Sequence, residues 1–414
     1  MFPAISAGWN VTREPFMQQL LGDSKVLSLL KFRASYGETG NDKSRGYRFL
    51  YFPSEYFYGA SRAVFGEDLQ QYESVYEGKL GNPDITWEKA VKQNYAVESG
   101  FFNDRLNFTY DYFIDYRNNI LNSRPVVAHV AAAIQDVYNV AKVRNKGHEF
   151  TLGWKDKVGN LGYWVNGNYT FARNTVIYNA QPQDPNNPNT WTTGISLNQT
   201  LGLISYGFFN TQEEADAWPT QFASRSTPGD VRYIDVNGDG VINELDITPI
   251  GAPTYPEVNF GSTMGLSYKG FDFSILFQGA TNVSTRLWGY MREPGRLFAG
   301  MLNEVKEQRW TPENMENATR PKLTVTYANA SNYQVSSLWQ RDASYFRIKN
   351  AELGYAFSGN FLSRFNISSA RLFVSGQNLH MWDKLKIVDP EQEPGNGFRY
   401  PQLKVFNAGI NIQF

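Results

Sequence analysis

The 414-residue sequence contains no cysteine, which excludes disulfides, thiolate metal sites and cysteine nucleophiles. No stretch approaches the roughly 20 consecutive apolar residues of a membrane helix, and the mean hydropathy is −0.46. An excess of either charge is missing too. Lys and Arg number 39 against 40 Asp and Glu, so there is no basic excess of the kind a nucleic-acid surface needs and no nucleic-acid partner is expected. The three histidines, His129, His148 and His380, show no paired metal-ligand spacing, and each reads as a polar lumen or loop residue. There is no G-x-S-x-G elbow and no P-loop. Carboxylates are plentiful, but nothing singles out a glycosidase-like pair. No catalytic residue is assigned, and an enzyme is not expected. The opening Met1-Phe2-Pro3 lacks the basic region and apolar run of a signal peptide, which for an exported protein suggests a fragment.

Aromatic residues are abundant: 29 Phe, 25 Tyr and 10 Trp make up 15% of the chain. They fall on alternate positions. Leu106, Phe108, Tyr110, Tyr112, Ile114 and Tyr116 alternate with Asn107, Thr109, Asp111, Phe113, Asp115 and Arg117. That period of two gives a strand with one apolar face, and a length of about 10 residues suits a tilted membrane-spanning strand. The same pattern recurs at Leu30–Tyr36, Tyr163–Phe171, Phe271–Phe277 and Phe406–Phe414. The low mean hydropathy is compatible with such a barrel, because only every second residue meets lipid.

Eleven strands are expected near 1–9, 26–37, 86–102, 105–119, 145–156, 161–173, 256–268, 271–282, 342–357, 369–378 and 402–414. Short turns at 103–105, 157–160 and 269–270 alternate with long polar segments at 38–85, 120–144, 174–255, 283–341 and 379–401. Outer-membrane barrels alternate short periplasmic turns with long extracellular loops. With every tight turn in the periplasm, the C-terminus is periplasmic as well. The expected fold class is therefore all-β, a transmembrane antiparallel β-barrel. A soluble glycan-binding β-protein is the alternative, although its strands would be shorter.

The long segment 174–255 contains DVNGDGVINELD at 235–246. Asp235, Asn237 and Asp239 occupy positions one, three and five of an EF-hand-like loop. Gly240 stands at the sharp turn, Val241 offers its carbonyl, Ile242 is an apolar anchor, and Asp246 closes the loop at position twelve. This hard-oxygen set predicts a structural Ca2+ bound by Asp235, Asn237, Asp239, Val241 and Asp246. Asp replaces the usual Glu at position twelve and reaches less far. Loop tryptophans Trp191, Trp218, Trp288 and Trp310 are candidates for stacking on sugars or on a partner protein.

The block from Thr227 to Ala280, TPGDVRYIDVNGDGVINELDITPIGAPTYPEVNFGSTMGLSYKGFDFSILFQGA, strongly resembles the SusC/RagA outer-membrane proteins. So do Phe2–Trp9, Leu30–Asn41, Asp342–Tyr355, Leu372–Trp382 and the terminal strand ending in Phe414. The resemblance implies the C-terminal part of a TonB-dependent importer in the outer membrane of a Gram-negative bacterium. Members have 22 strands and an N-terminal plug, couple to TonB through the N-terminal part, and pair with a SusD-like surface lipoprotein to import oligosaccharides or peptides. On this reading residues 1–414 supply about 11 of those strands and lack the plug, so the chain alone would not transport. A siderophore receptor of the same TonB-dependent type is the other reading; the calcium-type block argues against it.

Overall fold

The computed structural model describes residues 1–414 except 23–25, 44–50, 53–55, 78–80, 123–136, 223, 296–299, 325–330, 358–361, 363–365 and 393–399. One antiparallel sheet of 11 strands follows chain order. Its members are β1 Ala4–Asn10, β2 Leu27–Asn41, β3 Glu88–Phe101, β4 Leu106–Asn122, β5 Tyr138–Val158, β6 Leu161–Tyr178, β7 Val258–Tyr268, β8 Phe271–Thr281, β9 Tyr345–Phe357, β10 Ser369–Asp383 and β11 Val405–Gln413. The number and order of strands match the expectation from alternation. No helix among the described residues is long and apolar enough to cross a membrane.

The tight turns have left-handed backbones. Phe102, Asn103 and Asp104 take φ of 56, 58 and 60°, Gly159 of 60°, and Lys269-Gly270 of 47 and 91°. Asn, Asp and Gly tolerate that region best, which explains why these residues punctuate the sequence where they do.

Strand ends differ from the expectation at the opposite, long-loop end. β5 begins at Tyr138 rather than 145, β6 runs on to Tyr178 and β10 to Asp383. Register shifts between Arg117 and Leu121 and between Lys142 and Val143 break the period of two there. A bulge adds a residue to one strand and flips its alternation, so these extensions leave no simple pattern to read.

The register settles which face each residue occupies. Trp9 pairs with Phe32, and the row continues through Val97, Tyr110, Phe150, Tyr169, Phe260, Gly279 and Phe346 to Trp382. Neighbouring rings touch, with centroids 4.9 Å apart for Tyr110 and Phe150 and 5.5 Å for Phe346 and Trp382. This apolar face stays open: Trp9, Phe32 and Trp382 are 51%, 43% and 49% exposed. On the other face, Lys31 and Glu98 pair at 3.3 Å, Arg33 reaches both Glu98 and Asp111 (3.3 Å to Asp111), and Arg371 pairs with Asp272 and Glu352. One face is lipid-like and the other is charged and polar, as a membrane wall requires. Phe113 is an aromatic exception on the polar face. Its ring lies over Gly147, where an added Cβ would come within 2.5 Å of Phe113 Cζ, so glycine makes the room.

Two histidines depart from the expectation. His148 and His380 lie on the apolar face, opposite Tyr112 and Ile348. His148 Nδ1 shares a hydrogen bond of 2.7 Å with the Tyr110 hydroxyl, and His380 lies 4.3 Å from the Trp382 ring. Each acts there as an amphipathic ring among aromatics. His129 lies outside the described residues.

Candidate functional site

Beyond the long-loop end of the sheet, the two longest connections fold together. Leu203 N donates to Val335 O at 2.8 Å, Val231 N to Asn332 Oδ1 at 2.8 Å, and the Tyr233 hydroxyl to Ser331 O at 2.6 Å. Two small cores support this layer. Leu203, Val231, Tyr233 and Ile242 form one, while Leu287, Met291, Trp339 and Leu385 form the other. Burial pushes the Tyr233 phenol well above its usual range, so this hydroxyl remains a neutral donor.

The predicted metal loop is built onto the first core. Ile242 is fully buried, and Val241–Ile242 runs parallel to Thr220–Gln221 as a two-residue ladder. Gln221 then bridges inward, donating to Val231 O at 2.9 Å and accepting from Tyr233 N at 2.8 Å. The loop is thus fixed at its apolar position eight, as its sequence suggests.

Backbone amides orient every predicted side-chain ligand. Asp235 accepts from Gly238 N and Gly240 N at 2.6 and 2.8 Å, and Asp239 from Val241 N at 2.8 Å. Asn237 accepts from Asp239 N at 3.0 Å, and Asp246 from Val236 N and Asn243 N at 2.7 and 2.8 Å. Gly240 has φ of 86°, which is why glycine is needed at the turn. Among the described residues, Asp235, Asp239 and Asp246 form no ion pair with Lys or Arg, although Asp246 is fully buried. A carboxylate has about four acceptor sites and these amides fill only some of them. The donor set is all oxygen, which suits a hard divalent cation. Among the described residues, this loop included, no three His, Asp or Glu side chains already converge as a closed metal cluster. The loop therefore offers the donors in order along the chain, and an ion would have to draw them together.

The tryptophans divide. Trp310 is buried and donates to Asn210 Oδ1 at 3.1 Å. Trp218 packs against the first core and donates to Tyr233 O at 2.9 Å. Both support the loop layer itself. Trp191 is half-buried, while Trp288 is 41% exposed.

Sequence reasoning misses a second feature, a clamp on the inner wall centred on buried Arg347 of β9. Its guanidinium meets Asp389 at 2.6 Å, Glu391 at 2.8 Å and Gln402 at 2.5 Å. Glu391 also accepts from the Tyr345 hydroxyl and from Gln278 Nε2, both at 2.8 Å. Burial raises the Glu391 pKa, but the Tyr345 hydrogen bond and the charges of Arg347 and Lys349 outweigh it and hold it below the ordinary value. Over this clamp opens a cavity of about 670 Å³ whose polar lining includes Asn198, Tyr255, Asn259, Gln278, Glu391 and Gln392. An arginine at an inward strand position is the available signal. Its partners are about 40 residues away in a loop with no periodicity.

No family model matches the chain. Over its whole length it is 27% identical to TonB-dependent receptor P3 of Formosa agariphila and 24% identical to TonB-dependent receptor SusC of Bacteroides thetaiotaomicron. Among solved structures, the RagAB peptide importer in its open-open state matches 100% of the chain with a TM-score of 0.74 at 22% identity. The chain fits the C-terminal part of a SusC/RagA-type TonB-dependent receptor. It spans 42% of the length of P3 and 40% of that of SusC. The sheet is therefore receptor barrel wall and lies in the outer membrane.

Proposed function

We propose that this receptor chain forms part of a TonB-dependent importer of oligomeric nutrients, oligosaccharide or peptide, and works with a SusD-like surface lipoprotein. The observation that carries the reading is the polar inner wall ending in the amide- and tyrosine-lined cavity above Arg347. Amides, hydroxyls and aromatic faces suit neutral, hydrogen-bonding oligomers. Alignment of the whole chain with SusC supports the class. Deleting the gene should abolish growth on the oligomer while growth on its monomer continues; normal growth on both would refute the import role.

The long loops lie outside the cell on this reading, and Ca2+ at Asp235, Asn237, Asp239, the Val241 carbonyl and Asp246 rigidifies the layer they form. The ion would balance the three carboxylates and hold residues 235–246 against the core at Ile242. Calorimetry on the folded receptor should show calcium uptake that Asp239→Ala abolishes; unchanged uptake in the variant would remove the site.

The folded loop layer is also the surface offered to the lipoprotein, with Trp191 and exposed Trp288 as anchors, since Trp is enriched at interface hot spots. Deleting residues 181–199 should reduce lipoprotein co-purification several-fold and leave the barrel heat-modifiable on gels. Undiminished co-purification would move the contact to other loops.

A further inference from the structure

The outward face of β5 changes character along its length. From the tight-turn end, Trp154, Leu152, Phe150 and His148 lie on the apolar face, and the next outward positions are Lys146, Arg144 and Lys142. Lys146 pairs in register with Ile114 and Arg173, and Arg144 with Tyr116 and Thr175. The strip begins immediately beyond the outward rings of Tyr112 and Phe171, with Ile114 and Tyr116 lying beside Lys146 and Arg144. The three cations span about 13 Å of strand at 3.3 Å per residue.

Such residues are not stable facing hydrocarbon, so the boundary between His148 and Lys146 marks the level of the lipid headgroups. Aromatic rings below and long cationic stems above are the arrangement expected at that interface. Among the described residues, Lys142, Arg144 and Lys146 have no ion pair, and Arg144 Nε is buried without a hydrogen-bond partner. Arg173 beside them is neutralised by Glu257 at 2.6 Å. Among the described residues, three cations on one outward strip therefore remain uncompensated.

We infer that Lys142, Arg144 and Lys146 form a binding strip for the phosphate-bearing headgroup of an outer-leaflet glycolipid, with the acyl chains lying over Tyr112, Phe150 and Phe171. Arg144 supplies a planar fork that can grip phosphate oxygens, and the lysines flank it as point charges. The apolar groove lined by Phe108, Tyr110, His148, Phe150, Tyr169 and Phe171 continues directly below the strip and accommodates the chains. The inference rests on the reading that the long-loop end faces outward.

The test is native mass spectrometry of the complete detergent-solubilised receptor, incubated with an equimolar mixture of bis-phosphorylated lipid A and phosphatidylglycerol. Wild type should retain lipid A. The variant Lys142→Gln/Arg144→Gln/Lys146→Gln should bind it about a hundredfold more weakly, given the contribution of each basic residue near an anionic surface. Arg144→Lys, which keeps the charge but loses the fork, should bind with an affinity between wild type and the triple variant, and Lys92→Gln on the polar face should retain full binding. Heat-modifiable migration checks that each barrel is folded. Equal retention by the triple variant, displacement of lipid A by millimolar inorganic phosphate, or preference for phosphatidylglycerol would each overturn the proposal. Antibody access to residues 181–199 in intact cells reports the loop orientation separately, so a failure of that reading is distinguishable from a failure of the lipid site.

Discussion

Tyr110→Arg is expected to destabilise the folded receptor by about 2–4 kcal/mol, while Thr109→Arg changes stability far less. The two positions are neighbours on β4 and differ only in the face they occupy. Tyr110 belongs to the apolar row, between Val97 and Phe150, and its hydroxyl is tied to His148 at 2.7 Å. It sits about midway between Leu106 at the tight turn and Ile114, where the cationic positions of β5 begin, so a guanidinium there is far from either headgroup layer. Thr109 pairs with Glu98 and Thr151 on the polar face, and an arginine there gains a carboxylate neighbour. Denaturant titration of the receptor folded into lipid vesicles measures both. Equal losses at the two positions would overturn the face assignment.

That assignment is legible in the amino-acid sequence, because a period of two survives wherever a strand is paired regularly and faces lipid on one side. The run from Leu106 to Tyr116 shows it almost without error, and the turn at Asn103-Asp104 is marked by residues that tolerate positive φ. The pattern fails where a bulge or a distant partner intervenes. Register shifts hide the extension of β5 to Tyr138, so 138–144 reads as loop. His148 and His380 read as lumen or loop residues when polarity alone is weighed; their strand parity, which places them among aromatics, is the better guide.

The metal loop shows the same division. Its spacing identifies the glycine, the carboxylates and the apolar anchor, and Ile242 is buried as that spacing requires. Its support from Thr220–Gln221 is not legible, since a two-residue parallel ladder leaves no pattern. Trp218 and Trp310, candidates for partner contact by their place in long loops, pack into their own loop layer. A tryptophan in a long polar segment is as useful for holding the segment folded as for meeting another molecule.

Arg347→Met is expected to cost about 3–5 kcal/mol in local stability, because it strands carboxylates that the guanidinium now neutralises in a largely buried site. Asp389 would lose its 2.6 Å partner, while Glu391 would keep Lys349 at 3.5 Å and the Tyr345 hydroxyl. The segment carrying Asp389, Glu391 and Gln402 should then lift from the wall, seen as faster amide exchange and proteolysis within 384–404 and no change at β4. Acid adds a second signature. The folded Glu391 pKa is depressed, so the stability it lends is present above the ordinary glutamate value and fades as the pH falls through the depressed one. In wild type the segment should therefore loosen only in acid below the usual glutamate range. Without Arg347 the depression shrinks, and the acid transition should move to higher pH. Arg347→Met combined with Asp389→Leu should recover part of the loss, since it is the unpaired buried carboxylate that is costly. Exchange rates in 384–404 that match wild type in the single variant would show that the ion pairs do not hold the loop, and the cavity above them would then need another floor.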